Sequence, residues 1–442
     1  MSKAFVVSLL VVVAIATGSA LDRQPGVDYQ TRRKALAEKA GGIIVLFAPL
    51  ENAAGDAIYG FRQEDNFYYL SGVTEPGSAL LIASAEEATD SAPARPYAEI
   101  LFLPPRNLTQ EKWTGPKLGP DNPDAPKITG FDGVEEIGKL PDEVTKLMTG
   151  SRPVVYTDVA SHGESASTEA LAFLRRMNPF LSLQDVKPML ASLRTVKDSG
   201  EISLLRKAVD ASVAAHFAAF KAVKPNATER EISALLQYEW GKRGCERPAY
   251  APIVGSGFFS TVLHYSEDSN TMKAGDVVVI DAAGEYSMYA ADITRTLPVS
   301  GHFTARQREI YDIVLGAQEA AMAAFQSGKS MLTGDSDASL DKVAREYIKT
   351  HGKDLHGQPL DQYFIHGLGH FIGLNVHDAG DYKIPLGPGM AFTIEPGVYI
   401  PEESLGVRIE DDFLVGSDGK LIKLSGALPS KAEDVEKAMV GK

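Results

Sequence analysis

The sequence contains a single cysteine, Cys245, among its 442 residues. One cysteine cannot form an internal disulfide bond, which excludes the class of small secreted domains that disulfides hold together. A chain of this length does not need such cross-links, because it can bury a hydrophobic core in each of two domains. We therefore expect Cys245 to be a buried, unreactive thiol.

The sequence also contains fewer basic than acidic residues. The 44 lysines and arginines face 58 aspartates and glutamates, so the formal net charge is -14. Nucleic-acid binding depends on lysine and arginine side chains that neutralise phosphates. The composition therefore argues against a nucleic-acid partner, and it suits binding of hard cations.

Long apolar runs are absent apart from one near the N-terminus, at residues 4–16. This run is shorter than the roughly 20 residues that a membrane-spanning helix needs. Lys3 precedes it and small residues ending at Ala20 follow it, as in a secretory signal peptide. We expect residues 1–20 to be removed and the mature chain to be secreted or periplasmic, without stable membrane association. The rival interpretation is an uncleaved membrane anchor.

The rest of the chain divides into two predicted domains, residues 21–190 and 195–430. The first is predicted to be an α/β domain, and its three candidate buried strands are the apolar runs at 42–47, 79–82 and 99–103. Residues 105–130 are rich in proline, glycine and asparagine, which indicates a long surface loop.

The second domain shows two helices followed by strands, and then the same order again. Capping pairs predict the starts of three helices: Asp198 with Glu201, Thr228 with Glu231, and Thr304 with Gln307. A fourth helix carries Leu340, Val343 and Tyr347 and is expected to end at Gly352. The predicted strands include 277–280 in the first half and 392–394 and 407–409 in the second. Repetition at an interval of about 110 residues predicts an internally duplicated α+β domain.

Four acidic residues lie at the ends of apolar strand candidates, namely Asp281, Asp292, Glu395 and Glu410. A buried carboxylate costs several kcal/mol unless a cation or hydrogen bonds compensate it. Taken singly, each is better explained as a strand-end acid that faces solvent. Four such acids together favour a cation site.

The spacing of these acids supports that interpretation. Asp281 and Asp292 are symmetric about residues 286–287, and Glu395 and Glu410 about residues 402–403. In an antiparallel hairpin, residues symmetric about the turn face each other with β-carbons roughly 4.5–5.5 Å apart. Two facing pairs of carboxylates repel each other, and two divalent cations would neutralise them.

Three histidines, His366, His370 and His377, lie in the segment HGLGHFIGLNVHD. Its glycines argue against a helix, so we expect one imidazole ligand here and other roles for the neighbouring histidines. His264 precedes Asp281 by nearly the interval that separates His377 from Glu395, which predicts one histidine from each half beside the metals. A single histidine, taken alone, is better explained as a structural residue.

Four segments resemble the metal-ligand segments of the pita-bread metallopeptidases: DAAGEYSMYAADITRT, HGLGHFIGLNVHD, TIEPGVYI and GVRIEDD. That family includes methionine aminopeptidase, prolidase and aminopeptidase P. A further segment at residues 61–82 resembles the N-terminal domain of aminopeptidase P and prolidase, and TVLHYSED around His264 resembles aminopeptidase P. The resemblance implies the Xaa-Pro aminopeptidase (aminopeptidase P) type, with a pita-bread catalytic domain after a smaller α/β domain of the creatinase/aminopeptidase P kind.

The resemblance also implies roles for single residues. The implied metal ligands are Asp281 on one ion, Asp292 and Glu410 on both, and His370 and Glu395 on the other. The implied substrate-side residues are His264, His366, His377 and Arg408. Glu395 is the expected proton shuttle, and His264 or His377 is expected to hydrogen-bond the tetrahedral intermediate. Oxygen-rich ligands with one imidazole favour Mn²⁺, with Zn²⁺, Co²⁺ and Fe²⁺ left open.

The implied reaction is hydrolysis of an N-terminal Xaa-Pro bond by a hydroxide held between two metals, and the implied substrates are peptides with proline at the second position. Three alternatives stay open. The first is a prolidase, which cleaves only dipeptides. The second is a metal-free binding module, although no ligand type is missing. The third is a two-metal phosphoesterase, which is expected to place more basic residues near the acids than Arg295 and Arg408. Relatives are often dimers or tetramers, so a homo-oligomer is expected.

Overall fold

The computed structural model describes residues 22–51, 59–88, 94–148, 154–159 and 166–440. The predicted signal peptide therefore lies outside the described residues. None of the described helices combines the length and the hydropathy that crossing a bilayer requires.

The N-terminal part is built on a mixed β-sheet. Its described strands are β1 (Ile43–Phe47), β2 (Ala79–Ala83), β3 (Ala98–Leu103), β4 (Gly133–Glu136), β5 (Val155–Thr157) and β6 (Leu183–Asp185). They lie in the order β4-β3-β2-β1-β5-β6, with β2 antiparallel to both of its neighbours and the outer pairs parallel. The three strands predicted from apolar runs are confirmed as β1, β2 and β3.

Helices cover this sheet and interrupt the predicted surface loop. The described helices are α1 (Gly26–Ala40), α2 (Asp65–Ser71), α3 (Glu111–Thr114), α4 (Ala125–Thr129), α5 (Leu140–Leu147), α6 (Ala166–Met177) and α7 (Lys187–Arg194). The prediction of a plain loop at 105–130 is wrong where α3 and α4 form. Pro126 lies in the first turn of α4, where the missing N–H of proline has no helical partner to lose.

The C-terminal part contains two pairs of long helices and several short antiparallel sheets. Its described helices are α8 (Ser199–Ala222), α9 (Glu229–Gly241), α10 (Ala305–Ala324), α11 (Leu340–His351) and α12 (Ala432–Val440). The predicted capping boxes at Asp198, Thr228 and Thr304 all form, and α11 ends at Gly352 as predicted. The predicted order of two helices and then strands, twice over, is confirmed.

The strands of this part carry the acids of interest. The described strands are β7 (Arg247–Pro248), β8 (Ile253–Ser256), β9 (Val277–Asp281), β10 (Gly284–Tyr286), β11 (Tyr289–Ala290), β12 (Thr294–Pro298), β13 (Ala391–Ile394), β14 (Gly397–Ile400), β15 (Leu405–Arg408), β16 (Asp411–Val415) and β17 (Leu421–Lys423). Cys245 is buried beside them. Burial raises the pKa of its thiol to about 12, so it stays protonated at neutral pH.

In the first half, the predicted pairing of Asp281 with Asp292 is wrong. Asp281 pairs with Thr294 across β9 and β12. The chain turns at Ser287 and Met288, whose φ angles are 49° and 74°, so the turn lies one residue later than the symmetry predicted. Asp292 is therefore diagonal to Asp281, and the offset of an even number of residues keeps both side chains on one face.

In the second half, the predicted pairing of Glu395 with Glu410 is confirmed. Gly397 pairs with Arg408 on one side of the two glutamates, and Ile394 pairs with Asp411 on the other. Both ladders share one register, which sets Glu395 opposite Glu410. A bridge between Thr294 and Glu410 then joins the two halves.

Candidate metal centre and active site

A cavity of about 650 Å³ opens where the two halves meet. It is lined by all nine residues that the sequence predicted for the site: His264, Asp281, Asp292, His366, His370, His377, Glu395, Arg408 and Glu410. Its volume lies within the range of roughly 300–1,000 Å³ that is usual for small-ligand sites. The structure therefore brings together residues that are far apart in sequence.

Strand ends position the four carboxylates. Asp281 is the last residue of β9, Asp292 lies just ahead of β12, Glu395 directly follows β13, and Glu410 lies between β15 and β16. All four lie against the hydrophobic core that surrounds these strands. Asp281 is paired within its strand and Glu410 within a bridge to Thr294, whereas Asp292 and Glu395 lie in short connections next to strands.

His370 is held in one orientation by its own backbone. Its Nδ1 lies 3.1 Å from the carbonyl oxygen of Phe371, and this contact requires the proton on Nδ1 because a carbonyl only accepts. The other ring nitrogen, Nε2, faces Asp292 Oδ2 and Glu395 Oε1, each at 3.3 Å. One imidazole nitrogen and two carboxyl groups thus converge on one point, which is a ligand set that a divalent cation would suit.

Glu410 supplies a further acceptor. Its Oε2 accepts a hydrogen bond of 2.6 Å from Thr294 Oγ1, while Oε1 is buried without a hydrogen-bond partner among the described residues. Ligand atoms of Asp292, His370 and Glu410 all lie within 4.8 Å of one another. The donor set and the unpaired oxygen both fit a divalent ion.

Burial and mutual repulsion raise the pKa values of these acids. The pKa of Asp292 is raised by burial and then by Asp281. The pKa of Glu395 is raised by burial and then by Glu410, and that of Glu410 by burial and then by Asp292. The fold thus concentrates carboxyls that resist ionisation together, and a bound divalent cation would reverse this effect.

Tyr250 is a site residue that the sequence reasoning missed. Its hydroxyl lies 2.5 Å from Asp281 Oδ1 and 2.6 Å from Asp292 Oδ1. Burial raises the pKa of Tyr250 well above its usual range, so it remains a donor at neutral pH. A tyrosine between Ala249 and Ala251 shows no spacing that distinguishes it from a core residue.

Arg408 and His366 are joined through Tyr399, a second residue that was missed. Arg408 donates to Asp281 Oδ2 over 2.6 Å and to the Tyr399 hydroxyl over 2.8 Å. The same hydroxyl lies 2.8 Å from His366 Nε2. Burial, with the charge of Arg408 adding to it, lowers the pKa of His366 to about 4. His366 is therefore neutral at neutral pH and accepts the Tyr399 proton.

His264 and His377, the two remaining histidines of the cavity, come from different halves of the duplication. The rings of His370 and His377 are stacked, with centroids 4.0 Å apart. Loss of solvation in the cleft, together with the neighbouring His370 and His264, lowers the pKa of His377 to about 4. His264 thus lies close enough to His377 to influence it, and both imidazoles line the cavity.

Comparison with known proteins agrees with this architecture. Residues 203–417 match the model of metallopeptidase family M24, and residues 29–156 match the aminopeptidase P N-terminal domain. The chain is 33% identical to the Xaa-Pro aminopeptidase of Haemophilus influenzae over 443 residues, which covers 94% of this chain and 97% of that protein.

Solved structures show the same likeness over nearly the whole chain. Zinc-substituted Escherichia coli aminopeptidase P in complex with product superposes with a TM-score of 0.80 and 31% identity, covering 95% of this chain and 99% of that one. Proline aminopeptidase P II from Yersinia pestis gives a TM-score of 0.80 and 30% identity, covering 95% and 100%. These matches confirm the fold and the family that the motifs predicted. The chain belongs to metallopeptidase family M24, as a metallo-aminopeptidase of the aminopeptidase P type.

Proposed function

We propose that this chain releases the N-terminal residue from peptides that carry proline at the second position. The observation that carries the proposal is the meeting of four strand-end carboxylates and one oriented imidazole in a single cavity. The names of the relatives support the choice of substrate, because curated proteins that match over most of their length are Xaa-Pro aminopeptidases.

Two divalent ions are the proposed cofactors. Asp281 would hold one, Asp292 and Glu410 would be shared, and His370 and Glu395 would hold the other. When bound, such ions supply a nucleophilic water at neutral pH and polarise the scissile carbonyl. Four carboxylates balance two divalent charges, and the oxygen-rich ligand set favours Mn²⁺. Zinc is the alternative ion to test, since one relative was solved in a zinc-substituted form.

The side chains of the cavity would carry out the remaining steps. The nitrogen of the leaving proline has no hydrogen in the peptide, so it must receive a proton as the bond breaks. Glu395 is the proposed carrier of that proton. Its Oε2 lies 4.0 Å from Nδ1 of His366, one of the histidines proposed to contact the substrate. His264 and His377 are the proposed hydrogen-bond donors to the developing oxyanion.

Substrate positioning is assigned to the chain of contacts that begins at Arg408. Arg408 and His366 line the cavity, and the hydroxyl of Tyr399 joins them by hydrogen bonds. Arg408 also links this set of three residues to Asp281. A rigid wall suits proline, which must be selected by its ring shape because its peptide nitrogen cannot donate a hydrogen bond.

The proposal is tested with metal-stripped protein that is supplied with Mn²⁺ or Zn²⁺ and assayed on Xaa-Pro-Yaa, Xaa-Pro and Xaa-Ala-Yaa peptides. We expect release of Xaa from the first peptide, dependence on added metal, and little release from the alanine-containing control. Hydrolysis of the dipeptide alone would replace the proposal with a prolidase. No hydrolysis of any proline peptide with either metal would overturn it.

Export is proposed from the sequence of residues 1–20 alone, whose apolar run and small residues are typical of a signal peptide. The N-terminal sequence of the protein recovered outside the cytoplasm should begin at Leu21. A recovered chain that retains Met1 would contradict the proposed cleavage. Homo-oligomer formation stays a prediction, to be tested by light scattering of the purified chain.

A further inference from the structure

The segment that carries His377 is held from behind by a buried ion cluster. Asp378, the next residue, pairs through Oδ1 with Arg194 and through Oδ2 with Lys197 Nζ at 3.0 Å. The three side chains are 1%, 4% and 0% exposed, respectively. Arg194 ends α7 and Lys197 lies just ahead of α8, in the stretch between the two family matches.

The cluster reaches into the N-terminal part at α2. Arg194 Nη1 donates to Asn66 Oδ1 over 2.7 Å, and Asp65 Oδ2 lies 3.6 Å from Arg194 Nη2. The same oxygen of Asp65 accepts a hydrogen bond of 3.2 Å from Asn375 Nδ2. Helix α2 therefore contacts the His377 segment both directly and through Arg194.

The segment itself has little freedom around Asp378. Its backbone N–H donates to Phe371 O over 2.9 Å, and that of His377 donates to Asn375 Oδ1 over 3.1 Å. A β-carbon added at Gly373 would lie 2.3 Å from Asp378 Oδ2 and 3.0 Å from Lys197 Cε. The placement of Asp378 therefore fixes the backbone from which the His377 ring projects into the cavity.

A buried ion cluster contributes little net free energy of stabilisation to the contact between two domains. Desolvation offsets most of the attraction, and apolar side chains of similar size would hold the surfaces together as well or better. What the charged groups add is a defined geometry, because each requires its partner at one distance and angle. Asp378, the carboxylate of the cluster, is adjacent in sequence to His377, whose side chain lines the active site.

We propose that Asp378, Arg194 and Lys197 form a positioning cluster through which the N-terminal part fixes His377 for the reaction. The inference rests on the proposed function, since it concerns the same cavity and substrate. It assigns to the N-terminal part a role in the rate of the reaction as well as in stability. His377 contacts the substrate, whereas the three cluster residues act through it.

The test compares Arg194→Met with a matched control, Arg32→Met. Arg32 forms another ion pair between the two parts, 2.5 Å from Asp198, and the side chains of the two residues are 6% and 41% exposed, respectively. Arg32 donates hydrogen bonds to Gln24, Tyr69 and Asp198 rather than to the His377 segment. For each variant kcat/KM on an Xaa-Pro-Yaa peptide is measured with the preferred metal. The imidazole NMR resonance of His377, assigned with His377→Gln, is recorded as well. Metal affinity and thermal unfolding are measured in parallel.

We expect Arg194→Met to lower kcat/KM by about tenfold or more, as a small misplacement of an active-site group does, and to shift the His377 resonance while metal affinity holds. Arg32→Met should change neither quantity. If Arg194→Met does not fold, Arg194→Lys replaces it, because lysine keeps the charge but cannot bridge Asn66 and Asp378 at once.

An unshifted His377 resonance, or an unchanged kcat/KM, in the Arg194 variant would overturn the inference. Equal effects of the Arg194 and Arg32 variants on both quantities would overturn it too, because they would indicate a general loss of stability. An inactive wild-type protein would instead overturn the proposed function. The two failures are therefore distinguishable.

Discussion

Carboxyl groups and an imidazole nitrogen are crowded together where Asp292, His370 and Glu410 meet. Nε2 of His370 faces oxygens of Asp292 and Glu395, and one oxygen of Glu410 is buried and unpaired among the described residues. Ionisation of these carboxyls is costly in the metal-free chain and becomes favourable once cations bind. Stability and metal affinity should therefore respond in opposite directions when one carboxylate is neutralised.

Asp292→Asn tests this trade-off. Burial and Asp281 raise the pKa of Asp292 in the folded chain, and each raised unit corresponds to about 1.4 kcal/mol at a pH where the unfolded carboxyl is ionised. We expect the metal-free variant to be more stable than the metal-free wild type. We also expect stabilisation by Mn²⁺ to be largely lost, as measured by thermal unfolding with and without the ion. A less stable metal-free variant would count against the interpretation.

Tyr250→Phe tests the hydroxyl that serves both aspartates of the first half. The variant loses the two contacts at 2.5 and 2.6 Å, so Asp292 loses this partner and, among the described residues, Asp281 keeps only its contact with Arg408. Loss of such a group behind the metal ligands costs about 10–100-fold in metal affinity. Calorimetric titration with Mn²⁺ measures this. Tyr238→Phe is the control, because Tyr238 is 63% exposed on α9. Equal Mn²⁺ affinities of the two variants would show that the Tyr250 hydroxyl does not support the metal-binding carboxylates.

The charged residues of the site are easier to recognise from the sequence than its tyrosines. An acid or a histidine beside an apolar strand is unusual, so residues such as Asp281 and His370 can be selected as site candidates from the sequence alone. Tyr250 and Tyr399 are compatible with a hydrophobic core, and nothing in their spacing separates them from core tyrosines. Their hydroxyls become functional only through contacts between distant segments, which no local pattern records.

At the scale of elements, the two hairpins show why one register was predicted and the other was not. The second half turns through Pro401–Glu403, close to the centre of symmetry of its two glutamates. The first half turns at Ser287 and Met288, both with positive φ. Turns with positive φ usually contain glycine or asparagine, which mark their position in a sequence. Because serine and methionine form this turn, its position, and with it the strand register, was predicted one residue too early. Helix starts were predicted correctly because capping is a local signal.

The glycine-rich segment before β13 provides a matched pair of substitutions. A β-carbon at Gly369 would lie 2.1 Å from the backbone oxygen of Thr393, whereas one at Gly367 would meet no atom within 4 Å. We expect Gly369→Ala to destabilise the chain by roughly 1–3 kcal/mol, the usual cost of overpacking, and to weaken metal binding because His370 is adjacent. Gly367→Ala should be close to wild type in thermal unfolding. Similar losses in both variants would show that close approach of the backbone is not the cause.

At the scale of the whole molecule, charged groups join the N-terminal and C-terminal parts. Arg32 pairs with Asp198, and Arg194 with Asp378. No sequence pattern predicted these contacts, because each pairs residues far apart in the chain. The α+β class, the duplication and the family were predictable from motifs, whereas the division at residues 190–195 stays a prediction.

Acid should weaken this junction. Although burial opposes ionisation, Arg32 holds the pKa of Asp198 below its usual value, and Arg194 and Lys197 do the same for the pKa of Asp378. A carboxyl with a lowered folded pKa stabilises the fold above its unfolded pKa of about 3.9, and this contribution is lost as the pH falls through the folded value. The melting temperature should therefore drop on acidification below about pH 4.

Asp198→Asn isolates one carboxyl in that pH dependence, because asparagine can still cap α8 but does not titrate. Its melting temperature should fall less steeply with acid than that of the wild type. A pH profile parallel to that of the wild type would show that Asp198 contributes nothing to the acid sensitivity.

The central claim is that Asp281, Asp292, His370, Glu395 and Glu410 together hold a pair of metal ions. Crystals of the protein grown with Mn²⁺ and measured at the manganese absorption edge test it directly. The account predicts two anomalous peaks about 3.5–4 Å apart, enclosed by these five side chains. A cavity without anomalous density, or manganese bound elsewhere on the chain, would contradict it.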